Sequence, residues 1–197
     1  GGKMESFCEE QSLPMIKIPT GHQPRASTGY MLFPLLEIFG EAGLAGTLDS
    51  ERLLEDVEEL GSAWNSEVPT KDNAPKKLAQ EFEGKIPIIY GTRDNTGVVA
   101  YRWKTQINEN AKQPAFWNVF PELNHNETVG YELGSGLLEN GRVIMLKNGL
   151  DFRRNELRMK IMEELFADEG IGYSVVEAPK GNKFTKIVGQ TLFGDYF

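Results

Sequence analysis

The stretch KIPIIYGTRDNTG, residues 85–97, decides how the rest of the chain is read. Its first seven residues, KIPIIYG (85–91), form a short, nearly continuous apolar run that ends on glycine. A strand buried on both faces has this pattern, whereas a half-solvated strand alternates apolar and polar residues. The turn TRDNTG then leads into VVAYRWKTQINENAK, where Val99, Trp103 and Ile107 recur every four residues and mark the buried stripe of a helix. A strand entering a helix through a glycine turn is the opening half of a βαβ unit.

The same alternation runs outward from this unit. PAFWNVFP (114–121), GRVIMLKN (141–148) and YSVVEAP (173–179) read as further strands, and SLPMIKIP (12–19) reads as a short one between prolines. The helical patterns are DSERLLEDVEELGSAW, with Leu53, Leu54, Val57 and Leu60 in register, and NELRMKIMEELFADEG, with Leu157, Ile161 and Leu165. A last one, KFTKIVGQTLFGDYF, has Phe184, Ile187, Val188 and Leu192. The fold class that follows is α/β, with a parallel sheet and covering helices. The order of the strands is not readable. Residues 66–77, SEVPTKDNAPKK, are polar and carry two prolines, so they suit a linker. The expected division is a first unit over 1–45, a helical linker over 46–74 and a second unit over 75–197.

Composition excludes several classes. The formal net charge of −8 over 197 residues argues against a nucleic-acid binder, which needs a surplus of Lys and Arg, but leaves room for a small anion held by local cations. One cysteine, Cys8, permits neither an internal disulfide framework nor a cysteine-built zinc site, and makes the cytoplasm the expected compartment. No window reaches the length of apolar residues needed to span a membrane.

Four places could carry chemistry. In YGTRDNTG, Gly91 and Thr92 end the strand where backbone N–H groups can meet an anion; the bland reading is a βα turn capped by Thr92 or Asn95. In GHQPRA (21–26), Pro24 fixes the backbone just before Arg25, which suits a cation held against an oxyanion or a plain surface arginine. Glu109, in INENAK, stands near a helix C-terminus, where the dipole disfavours a carboxylate and so favours proton uptake, the direction a general base needs. The bland reading is a solvated glutamate at a frayed helix end. In PELNHNE (121–127), Glu122 and His125 share a helix face. One E-x-x-H and two histidines in the whole chain are too few for the usual metal sites, so an acid–base role or a plain helix start remains.

Taken together, AYRWKTQINENAKQPAFWNVFPELNHNE (100–127), GKIPIIYG (84–91) and IPTGHQPRASTGYMLFPLL (18–36) closely resemble the bifunctional phosphoglucose/phosphomannose isomerases of the sugar isomerase (SIS) superfamily. The resemblance covers nearly the whole chain. It implies SIS domains, each a three-layer α/β/α sandwich, with residues 1–45 the tail of a first SIS domain and 75–197 a second. It also implies interconversion of glucose 6-phosphate or mannose 6-phosphate with fructose 6-phosphate through a cis-enediol, with no metal and no cofactor. Glu109 resembles the family's base, His125 its ring-opening residue, lent across a homodimer with a shared active site, and Arg25 the cation that steadies the enediolate. The pattern departs from the family at Ser27 and Thr28, where alanine is usual. The Gly-rich and Ser/Thr-rich phosphate loops, and a C-terminal segment with Thr and Lys, have no counterpart here, so an incomplete fragment is expected. The alternative is a non-catalytic SIS module that binds a sugar phosphate.

Overall fold

The computed structural model describes residues 2–131 and 139–197. The chain divides into two units, Gly1–Ser50 and Glu51–Phe197.

The second unit is built on four parallel strands: β1 (Ile86–Thr92), β2 (Phe116–Phe120), β3 (Gly141–Lys147) and β4 (Tyr173–Glu177), in the order β2-β1-β3-β4. Ile89 of β1 pairs with Trp117 of β2 on one side and with Ile144 of β3 on the other. Successive side chains of a strand point to opposite faces, and the two cores follow that alternation. One face gathers Ile89, Ile144, Leu146 and Val176 with Trp103, Phe82 and Phe193. The opposite face gathers Tyr90, Val143 and Met145 with Phe120, Leu123, Met159, Met162 and Phe166. Helices α3 (Ser50–Trp64), α4 (Ala74–Glu81), α5 (Gly97–Gln106) and α8 (Lys183–Tyr196) supply the first layer. Helices α6 (Leu123–Gly130) and α7 (Arg153–Asp168) supply the other. The three-layer α/β/α architecture read from the sequence is the one observed.

The stripe of α5 is as expected, with Val99, Trp103 and Ile107 buried. Two other helices bury a different face from the one their apolar spacing indicated. In α7, Leu157 and Ile161 are more than half exposed, and Met159, Met162 and Phe166 point inward. The long Met and Phe side chains reach the sheet core from a face about a third of a turn away. In α8 the buried residues are Thr185, Gly189, Gln190, Phe193 and Gly194. The glycines allow close approach: a Cβ on Gly194 would fall 2.2 Å from Nε1 of Trp103. Gln190 donates from its amide to the carbonyls of Lys147 and Val176, closing polar groups near the ends of β3 and β4.

Helix α3 packs as part of this unit. Leu53 is buried, whereas Leu54 faces out, and Asp56 accepts from Thr185 Oγ1 at 2.6 Å and pairs with Arg52. Asn73 caps α4 and donates to the carbonyls of Trp64 and Asn65, which fastens the proline-bearing segment to α3.

The first unit contains α1 (Lys3–Glu10) and α2 (Thr28–Glu41), joined through a 3-10 turn at Pro24–Ala26. Residues 12–19 form no strand, contrary to the reading of SLPMIKIP. Pro14 and Pro19 remove two backbone donors, and no described strand of that unit lies beside the segment to pair with it. Lys17 instead ties it back to Glu5 and Glu9 of α1.

Candidate active site

Glu109 stands on a π-helical turn, Ile107–Ala111, that continues α5. Such turns loosen the helical ladder and are frequent at functional sites. Ile107 is buried and anchors the turn, and Lys112 ends it in the left-handed conformation at φ 57°. Asn108 donates to the carbonyl of Gln113 at 2.8 Å, and the Lys112 ammonium to the carbonyl of Glu109. Gln106, beneath the turn, donates to Asp195, which Arg102 also holds at 2.9 Å. Glu109 itself is exposed on this pinned turn. A cleft of about 690 Å³ opens beside it, lined by Gln106, Ile107, Asn110 and Asp195 among others.

His125 lies in the first turns of α6 and is exposed, its backbone N–H donating to the carbonyl of Glu122 at 2.9 Å. Glu122 is also exposed, with Arg93 3.7 Å away. Their shared outward face is the one the E-x-x-H spacing indicated.

Glu109 and His125 are not brought together within one chain. Strands β1 and β2 are parallel, so α5 returns the chain to the edge where the strands begin, and Glu109 is at that edge. β2 then crosses the sheet, and α6 starts at the opposite edge. Five strand residues span on the order of 15 Å. Arg25 is half-buried in the 3-10 turn of the first unit, where the Ser27 hydroxyl closes on the carbonyl of Gln23 at 3.0 Å.

Gly91 and Thr92 are enclosed. A Cβ on Gly91 would fall 2.6 Å from the carbonyl of Thr96, which is why the turn requires glycine. Thr92 is 1% exposed, and its hydroxyl donates to Asp151. Helix α5 starts from Thr96, whose hydroxyl accepts from Thr92 N at 2.9 Å, so neither Thr92 nor Asn95 is the capping residue. Asn95 joins Asp151 at 2.9 Å and forms a reciprocal pair with Asn148. This cluster fills the carboxyl ends of β1 and β3, the point at which strand order reverses and where ligands of open α/β sheets often sit.

Glu127, the last residue of PELNHNE, is not among the residues to which the sequence assigns chemistry. The structure places its carboxylate against Tyr90 of β1 and Asn118 of β2. The available signal was its spacing, four residues after the buried Leu123, which puts both on one helix face.

A parallel sheet covered on both faces, with its polar turn at the strand ends, is a doubly wound α/β fold. The fold is shared with a glucose-6-phosphate isomerase-like protein from Thermus thermophilus, with a TM-score of 0.68 at 19% identity over 93% of this chain and 59% of that one. Residues 71–197 match the family described as the bacterial phospho-glucose isomerase C-terminal SIS domain, and the chain belongs to that family. It is 38% identical over its whole length to the bifunctional phosphoglucose/phosphomannose isomerase of Caldicellulosiruptor bescii, and 32% identical over 86% of its length to that of Aquifex aeolicus. It spans 58% and 49% of those two proteins, about half the length of each. Among the described residues, no helix is long and apolar enough to cross a membrane.

Proposed function

We propose that the intact protein is a metal-independent aldose–ketose isomerase of the cytosol, interconverting glucose 6-phosphate or mannose 6-phosphate with fructose 6-phosphate. The observation that carries this reading is Glu109: an exposed carboxylate on a π-helical turn held from both sides, within a chain of the phospho-glucose isomerase family. A base fixed in position by its backbone reaches the substrate at little cost in ordering.

In this reading His125 moves the proton between the anomeric hydroxyl and the ring oxygen, breaking the C1–O5 bond and giving the open-chain aldose. Glu109 then takes the proton from C2, the electron pair forms the C1–C2 double bond of a cis-enediol, and the π electrons of the C1 carbonyl move onto O1. The O2 hydroxyl proton passes to O1 as the C2 carbonyl forms, and the same carboxyl returns its proton to C1 to give the ketose. Arg25 steadies the negative charge that develops on the enediolate oxygen. The enediol is planar at C2, so reprotonation from either face accounts for glucose and mannose as products. Gly91 and Thr92, at the same edge of the sheet as His125, hold the β1 turn closed against Asp151 and so support the sugar phosphate from the copy that lends the histidine.

Ring opening and proton abstraction occur at neighbouring atoms of one sugar, whereas Glu109 and His125 stand at opposite edges of one sheet. The histidine that serves a given Glu109 therefore comes from a second copy, and the working form is a homodimer with shared sites.

Glu109→Gln in the intact protein keeps size and shape and removes the base. Conversion of fructose 6-phosphate should fall by about 10²-fold or more, with KM little changed. Turnover at the unaltered rate would remove Glu109 from the mechanism.

A further inference from the structure

We infer that Glu127 is a positioning residue for His125, an inference that rests on the role just proposed for that histidine. Its carboxylate accepts from the Tyr90 hydroxyl at 2.5 Å and from the Asn118 amide at 2.5 Å. Tyr90 is fully buried and its oxygen lies 2.5 Å from that of Tyr131, also buried. The single Tyr90 proton goes to Glu127, so Tyr131 donates to Tyr90. One chain of hydrogen bonds thereby joins α6 to β1 and β2.

Helical geometry carries the effect to His125. Leu123 is fully buried and Glu127 follows it by one turn, so these two residues define the inner face of α6. His125 lies midway between them, roughly 200° from each about the helix axis, and so faces outward. Leu123 alone would hold the helix against the sheet but leave it free to roll, because apolar packing is non-directional. Two hydrogen bonds to fixed partners on different strands stop the roll and set the direction of the imidazole. A carboxylate bonded to the buried Tyr90 and to Asn118 supplies directed bonds that a leucine could not, so packing alone does not call for it.

The test is a double-mutant cycle on the intact protein, read as kcat and KM with fructose 6-phosphate. Glu127→Ala should lower kcat by about tenfold to a hundredfold while KM stays within about threefold, the signature of a displaced catalytic group. In a His125→Ala background the same change should cost less than about threefold, because the group it positions is already gone. Tyr90→Phe keeps the ring and removes only the hydroxyl, so it repeats the cycle without opening a cavity if Glu127→Ala fails to fold. It should also lower kcat, again only when His125 is present. Glu127→Gln, which retains one acceptor, should recover part of the loss. Effects of Tyr90→Phe and His125→Ala that multiply would overturn the proposal and leave the isomerase reading intact. Full turnover by His125→Ala would overturn both the histidine's role and its positioning.

Discussion

At Gly194 a single missing methyl decides how α8 meets α5. Trp103 stacks on Phe193 with ring centroids 5.6 Å apart and donates its indole N–H to the carbonyl of Gln190 at 2.8 Å. Gly194→Ala would drive a carbon into that indole, and overpacking of this kind costs about 1–3 kcal/mol. The intact protein carrying it should unfold several degrees lower in calorimetry, with an unchanged Tm counting against the close approach. Tyr90 and Tyr131 make a second prediction. Burial pushes both phenols above their ordinary value of 10.0. The unfolded chain therefore loses these protons first as pH rises past 10, and stability, intact below that pH, declines above it by up to about 1.4 kcal/mol per pH unit for each group. Urea midpoints compared at pH 8 and pH 11 should fall, and Tyr90→Phe should lessen the fall. These residues mark a limit of reading sequence. Trp103 and Val99 were legible from spacing alone, but nothing in the local pattern paired Tyr90 with Glu127, 37 positions on.

At the scale of elements, four of the five strands and all four helices read from apolar runs are present. Strand β1 was clear because a doubly covered strand is apolar throughout. The failures have physical causes. Residues 12–19 have a strand's composition, but their prolines withhold donors and no described strand of the first unit offers a partner. Helix α7 carries two possible apolar stripes, and the one with Met159, Met162 and Phe166 is buried while Leu157 and Ile161 face out. Helix α8 buries glycines, a threonine and Gln190, which no hydrophobic period detects. Helix α6 shows the same limit nearer the site. Its E-x-x-H spacing put Glu122 and His125 on one face, but the opposite side joins Leu123 to a carboxylate and two tyrosines. The expected linker gave the least sign of its role: the helix over Ser50–Trp64 lies in the second unit, held by Leu53 and by the bond between Asp56 and Thr185.

At the scale of the molecule, the candidate groups belong to different parts of the chain. Arg25 belongs to the first unit, Glu109 and His125 to the second, and those two to opposite edges of one sheet. Spacing in sequence could not show this, because Glu109 and His125 are only sixteen residues apart and the separation arises from the direction of β2. That direction has a consequence for mixtures of disabled molecules. If each site takes Glu109 from one copy and His125 from the other, Glu109→Gln and His125→Ala proteins both keep only residual turnover as pure dimers. Dissociated and reassociated together, a mixed pair concentrates both defects in one site and leaves the other whole. Random pairing of equal amounts then returns about a quarter of the native activity. Activity that rises well above either preparation on mixing would locate the histidine across the dimer without any further structure, and a mixture that stays at the residual level would return it to its own chain.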